Sequence, residues 1–236
     1  TSAASRLAKA KALVKKLSAV ETLGSTSIIC TDKTGTLTKN EMTVEQLYIS
    51  ERPYWVSGSG YQSTGVIIDK DKKSLDVKAL KSHELFFLCS VFASNATIHQ
   101  PDDNHGNWYV LGDPTEGALI TMAAKAGFDD QKLNKSYPEI YEYTFDSVRK
   151  RMSSLRDYHG LKVFCKGAPE SVLDVCTHIL VGSKRRKLTT ADREHFLARG
   201  DMMANAAMRN LAMAYKELPD GSDSKKMTIT GAESDL

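Results

Sequence analysis

The residues best equipped to do chemistry in this sequence are Asp32-Lys33-Thr34-Gly35-Thr36-Leu37-Thr38, which follow the apolar run Ile28-Ile29-Cys30. An aspartate carboxylate attacks a phosphoryl group when it stands in line and the charge on the phosphate oxygens is neutralised. Lysine, backbone amides at a glycine turn and a magnesium ion supply that neutralisation, and the loop offers all but the ion. Residues 27–32 are expected to form a short buried strand that displays Asp32 at the carboxyl edge of a sheet. The plainer alternative is that Asp32 caps a turn, as aspartate near glycine and threonine often does.

The elements around this loop read as follows. Residues 1–18, with Leu7, Leu13, Val14 and Leu17 among alanines and lysines, predict a helix with a basic face. Residues 42–49 and 54–68 predict strands broken by Pro53, Gly58 and Gly60, and residues 78–98 have helical apolar spacing. Asp113, Pro114 and Glu116 form a helix start, with cap, proline and acid in order, and Gly127 ends that helix. Strands are expected over 141–145, 152–157 and 161–165, the last two joined around His159-Gly160. Pro169 opens a helix to about Cys176, Thr190 caps one running through Met208, and residues 211–218 return as a strand. The tail from Asp220 is polar and expected to be loose. The part before residue 40 thus reads as the start of an α/β domain, and the middle as a mixed, mostly antiparallel sheet with helices.

Composition narrows the class. Of 236 residues, 41% are apolar and 26% charged, which supports a packed core and argues against disorder. The net charge of +3 gives no bulk argument for nucleic acid. Cys30, Cys89, Cys165 and Cys176 form no CxxC pair, so a disulfide framework or zinc knuckle is not expected. The longest apolar run, residues 85–93, is about half of the roughly 18 residues a membrane span needs. The chain opens on Thr1 and stops on Leu236 and reads as a soluble piece of a longer protein. Lys184-Arg185-Arg186-Lys187 reads as an exposed loop.

The loop Asp32–Thr38 resembles the signature of the P-type ATPases, within the haloacid-dehalogenase-like phosphotransferases. The preceding Lys16-Leu17-Ser18-Ala19-Val20-Glu21-Thr22-Leu23-Gly24 resembles the approach to that loop in calcium-type pumps. The resemblance implies that Asp32 accepts a phosphoryl group, with Lys33 and Thr34 beside it in the catalytic loop. It also implies Mg2+ at Asp32 and Thr34, completed by residues this sequence lacks. Phosphatases of the superfamily usually carry a second aspartate two places after the nucleophile. Here Thr34 stands there, and a hydroxyl cannot shuttle a proton near neutral pH, so an aspartyl phosphate would persist.

Further segments resemble the nucleotide domain of that family, and the resemblance implies their roles. In Asp113-Pro114-Thr115-Glu116-Gly117-Ala118-Leu119 the glutamate contacts the adenine side; by itself Glu116 could complete a capping box. In the stretch from Phe145 to Met152 the aromatic ring stacks on adenine and Lys150 lies near the nucleotide; taken alone, Phe145 is core and Arg149-Lys150-Arg151 a solvated charge run. In Lys166-Gly167-Ala168-Pro169-Glu170, Lys166 closes the pocket and Gly167 lets the ligand approach the backbone. In Met208-Arg209-Asn210-Leu211 the arginine bridges phosphates and adenine-side groups, a task suited to its planar fork, with Leu211 packing beneath.

The implied fold is α+β, a mostly antiparallel sheet flanked by helices, preceded by a short piece of a haloacid-dehalogenase-like α/β domain. The implied division is a stalk-helix end and phosphorylation segment over 1–38, a nucleotide domain over 39–218 and a loose hinge over 219–236. The implied cofactors are ATP and Mg2+. The implied partners are the remaining phosphorylation, actuator and membrane domains of a cation pump, calcium first among the candidates, with this monomeric segment facing the cytoplasm and no nucleic acid bound. The chain itself is expected to bind ATP without turnover. A sodium/potassium, proton or magnesium pump, a soluble phosphotransferase and an ATP-sensing module are the alternatives.

Overall fold

The computed structural model describes residues 2–12, 15–33 and 35–236. It divides into two compact units, Thr1–Asn40 and Glu41–Leu236. Leu13, Val14 and the catalytic candidate Thr34 lie outside the described residues.

In the first unit α1 spans Ser2–Lys9 and α2 spans Leu17–Gly24. The helix expected across 1–18 is interrupted because Lys11 takes φ 61°, and the amide of Ala12 folds back to the Leu7 carbonyl at 2.8 Å. A left-handed residue at that point ends a helix. The buried strand expected over 27–32 is not formed: 28–32 have no regular structure, and Ile28 and Ile29 are 77% and 76% exposed. A strand must satisfy its backbone on a neighbour, and no strand among the described residues pairs with this stretch.

The second unit begins with an antiparallel sheet of β1 (Gln46–Ile49), β2 (Arg52–Val56) and β3 (Ile67–Ile68). Pro53 does not break β2. It sits opposite Tyr48, whereas β3 pairs only with Trp55 and Val56, so no second ladder bond is lost. The single helix expected over 78–98 is two, α3 (Val77–Ser82) and α4 (Glu84–Phe92), broken at His83. The hairpin of β4 (Thr97–His99) and β5 (Tyr109–Leu111) follows, then α5 (Pro114–Lys125), where Asp113 accepts the Thr115 amide at 2.6 Å. After α6 (Asp130–Ser136) come β6 (Glu139–Asp146), β7 (Arg151–Asp157), β8 (Leu161–Gly167) and α7 (Pro169–Val175). The chain continues through the hairpin of β9 (His178–Val181) and β10 (Lys184–Lys187), α8 (Thr190–Asn205), β11 (Ala212–Glu217) and α9 (Ile229–Ala232). Lys184–Lys187 is therefore an exposed strand rather than a loop. The cap of α8 is Thr189, which exchanges hydrogen bonds with Asp192 in a capping box.

The central sheet has the order β11-β8-β7-β6 and is antiparallel throughout. Strand alternation sorts its side chains. Phe164 joins Phe87, Leu88, Val91, Phe92, Leu119 and Met122 in the main core, while Leu155 and Val163 on the opposite face pack with Tyr143 and Ala232. Helix α4, buried from Phe87 through Phe92, is the element around which that main core is built.

The tail expected to be loose is docked. Ala232, Glu233 and Leu236 are 0%, 3% and 5% exposed, and Leu236 exchanges backbone hydrogen bonds with Val175 and Thr177. Its apolar anchors are few and spaced among polar residues, which hid them from a composition-based reading. Among the described residues no helix is long and apolar enough to cross a membrane.

Arg156 ties this architecture together. It is 4% exposed and donates to the carbonyls of Phe92 (3.2 Å) and Tyr137 (2.9 Å) and to Asn134 Oδ1 (2.8 Å), with its guanidinium 4.7 Å from the Phe92 ring centroid. Arg156→Met strips donors from the Phe92 and Tyr137 carbonyls and removes the cation 3.4 Å from Glu139, which keeps the Ser154 hydroxyl. It is expected to lower unfolding stability by about 3–5 kcal/mol, read as a lower urea midpoint at unchanged slope; a loss under about 1 kcal/mol would show that these contacts are dispensable.

Candidate functional site

Lys166 stands near the end of β8, 6% exposed, where its Nζ donates to Glu116 Oε1 at 2.8 Å and Ser94 Oγ at 2.8 Å. Glu116 projects from the first turn of α5, and its other oxygen accepts the amides of Asn95 (2.8 Å) and Ala96 (3.1 Å) beyond the end of α4. These partners replace the capping-box role open to Glu116 from sequence alone. Burial pulls the Lys166 pKa down, and the Glu116 carboxylate only partly offsets it.

Arg209 joins the same corner, with Nη1 donating to Thr115 Oγ1 at 3.1 Å. Asp113 feels opposed influences: burial pushes its pKa up, but hydrogen bonds from Thr115 and the nearby Arg209 hold it below the usual carboxylate range. Leu211, half-buried, packs against the main core just before β11, and Met213 is the Cα partner of Lys166.

The β6–β7 turn forms the other side of the shelf. Asp146 Oδ1 accepts the amides of Val148 (3.0 Å) and Arg149 (2.8 Å), and its carbonyl accepts that of Lys150 at 2.6 Å. Phe145, just before this turn, is 59% exposed. The Lys150 side chain is 58% exposed, 3.6 Å from Glu170, and its carbonyl accepts the Ala168 amide at 2.9 Å. Buried Met152 is the Cα partner of Lys166. The sequence-based reason for Gly167 needs correction. A Cβ there would lie 2.5 Å from both Arg151 Cβ and the Lys150 carbonyl oxygen, so the neighbouring strand, not an approaching ligand, demands glycine.

The structure thus gathers Glu116, Lys166 and Arg209 at the start of α5, and Lys150, Met152, Gly167 and Ala168 along the β7–β8 end, with Phe145 exposed beside the β6–β7 turn. The exposed members outline an open shelf. A crevice of about 680 Å³ in this unit is lined by Leu47, Phe86, Val172 and Phe196 and adjoins the shelf at Thr115, Arg209, Leu211 and Met213. Sequence reasoning missed Ser94, Asn95 and Glu142, the last accepting from Asn95 Nδ2 at 2.8 Å. Polar residues directly after the apolar run 85–93 were the available signal.

Asp32 and Lys33 lie in the first unit, both exposed. The Lys33 carbonyl accepts the amide of Leu37 at 2.9 Å across a turn through Gly35, whose φ is 73°. Asp32 is therefore displayed on a turn and not at the end of a strand. Among the described residues no group of three or more His, Cys, Asp or Glu could hold a metal. A site there would rest on the Asp32 carboxylate together with oxygens from a ligand.

Glu116→Gln removes the countercharge of buried Lys166 and is expected to destabilise the unit by about 2–4 kcal/mol at pH 7. Lys166, already below its ordinary 10.5, then releases its proton earlier still in the folded state. The unfolded chain binds more protons in the window between the two pKa values, so the variant's stability should rise with pH from neutrality toward that ordinary value. Urea midpoints at pH 7 and pH 9 read this; a midpoint that falls over that interval would contradict it.

Residues 82–236 match the family model described as P-type ATPase, cytoplasmic domain N. The chain is 35% identical to a calcium-transporting ATPase of Bacillus subtilis over 98% of its own length and 25% of the relative's. It is 37% identical to the cation-transporting ATPase pma1 of Synechocystis, over 89% of this chain and 23% of that protein. Calcium-transporting ATPase 1 of Lactococcus lactis is 35% identical, over 98% and 23% respectively. The chain therefore spans about a quarter of the length of these curated relatives. Together the matches show that it belongs to the P-type ATPase family, whose cytoplasmic domain N it carries.

Proposed function

We propose that the second unit binds ATP on the shelf between α5 and the β6–β7 turn, and that the larger protein transfers the γ-phosphate to Asp32. The observation that carries this reading is the buried Lys166 paired with Glu116, with the exposed Arg209 on Thr115 beside Glu116 and an exposed cation, Lys150, and an exposed aromatic, Phe145, at the β6–β7 turn. A ring against a purine face contributes about 1–3 kcal/mol by the measure used for bases in single strands. Arg209 and Lys150 supply positive charge for phosphate, the arginine by its paired donors and the lysine as a point charge. Met152 and Leu211 give the apolar floor, and Gly167 and Ala168 lie at its edge.

Mg2+, when bound, supplies charge neutralisation at the phosphates. Asp32 and Thr34 are the residues of this chain proposed to hold it, and such an ion commonly takes one or two carboxylates plus phosphate oxygens. The Asp32 carboxylate is proposed as the nucleophile, with Lys33 as the adjacent cation. Residues 1–38 are proposed as stalk-helix end and phosphorylation segment, with the nucleotide domain from 39. The names of the Bacillus and Lactococcus relatives favour calcium as the transported cation, while that of the Synechocystis relative leaves the cation open. The proposed partners are the remaining phosphorylation, actuator and membrane domains of the same pump, with this segment on the cytoplasmic side.

A calorimetric titration of the chain with ATP is expected to show binding without turnover. Lys166→Glu and Phe145→Ala should each weaken it about tenfold or more, and Asp32→Asn should leave it unchanged or tighter by removing repulsion with the phosphates. No binding by the unaltered chain, or equal binding by Lys166→Glu, would overturn the site. Hydroxylamine-labile radiolabel on Asp32 of this chain would overturn the absence of turnover.

A further inference from the structure

Glu233 belongs to no motif in the sequence, yet it is the one carboxylate residue in the buried class among the described residues, with its side chain 2% exposed. Arg149 Nη1 donates to its two oxygens at 2.6 and 2.5 Å, Arg151 Nε to Oε2 at 2.8 Å, and Ser153 Oγ to Oε1 at 2.9 Å. The segment carrying it is fixed independently. Lys216 Nζ donates to the carbonyls of Gly231 (3.0 Å) and Ser234 (2.8 Å), and the Tyr143 hydroxyl donates to that of Met227 at 3.0 Å.

The consequence lies in the β6–β7 turn. Arg149-Lys150-Arg151 looks like a uniform charge run, but the structure splits it: the arginine side chains are 22% and 16% exposed, drawn inward to Glu233, and Lys150 between them is 58% exposed. Arg149 also holds the Thr144 carbonyl through Nη2 at 2.7 Å, and its own carbonyl accepts a hydrogen bond from Ser171 Oγ. Lys150 itself takes φ 50°, a conformation costly for a side-chain-bearing residue unless its surroundings impose it. Removing the carboxylate would leave the two inward arginines without a countercharge, held only by neutral acceptors, Thr144 for Arg149 and Ser171 for Arg151, and they would seek water by turning the chain around Lys150.

We propose that Glu233 is a positioning residue of the nucleotide site: by anchoring Arg149 and Arg151 on the inner side of the turn, it presents Lys150 and Phe145 on the outer side. Glu233 touches no nucleotide in this role, and the inference rests on the ATP-binding reading above. Docking of residues 227–236 and nucleotide affinity are then linked, because the segment delivers the anchor.

The test is a double-mutant cycle on the full chain, with the ATP dissociation constant read by calorimetry and folding by the urea midpoint. Glu233→Gln is expected to weaken ATP binding about tenfold, and Glu233→Asp, which keeps the charge, to recover part of that loss. In the Lys150→Ala background, Glu233→Gln should weaken binding less than it does in the unaltered chain, since one of the two groups it positions is gone; a merely structural role predicts additive effects. If Glu233→Gln does not fold, Arg149→Gln carries the same cycle from the other partner. An unaltered chain that binds ATP, with folded variants within about twofold of it or effects that add, overturns the positioning role alone. An unaltered chain that binds no ATP overturns the nucleotide reading with it.

Discussion

A lysine and a glutamate closed on each other inside the fold, Lys166 of β8 and Glu116 of α5, set the geometry on which the shelf depends. Taking two charges out of water is expensive, and their attraction offsets that cost only when every remaining lone pair and proton finds a partner. Ser94, Asn95 and Ala96 provide those partners, so the end of α4, the start of α5 and the end of β8 must meet at one point. Arg209 and Leu211 enter that corner from the other side because β11 is the neighbour of β8.

The second organising contact is of the same kind on the opposite face of the sheet. Glu233 draws in Arg149 and Arg151 while the turn between β6 and β7 stays bonded through Lys150 to Ala168. Strand alternation makes the two contacts compatible: Met152 and Lys166 face α4, whereas Arg151 and Ser153 face the terminal segment. The shelf is thus supported from beneath by one buried ion pair and from behind by another.

What could be read in advance was the local chemistry. Asp113-Pro114 announced α5 because cap and proline act within one turn, and His159-Gly160 announced the β7–β8 hairpin because both residues accept positive φ. The resemblance of short motifs pointed to Glu116 and Lys166, but that they bind each other is a fact about positions fifty residues apart, and no local pattern encodes it. The same limit explains the errors. The apolar run Ile28-Ile29-Cys30 suggests a strand over 27–32, whereas a strand exists only with its neighbour. The polarity of the tail suggests a loose segment, whereas the charged Glu233 is buried because Arg149 and Arg151 pair with it and offset the cost of removing it from water.

The most direct measurement is a backbone amide NMR titration of the labelled chain with ATP. Nucleotide seated on the shelf should shift the amides of Phe145, Lys150, Gly167, Ala168 and Arg209 together, at one common dissociation constant. If those resonances stayed in place while others moved, or if none moved at saturating nucleotide, the Lys166–Glu116 corner would be core structure alone and the assignment of the shelf to ATP would be wrong.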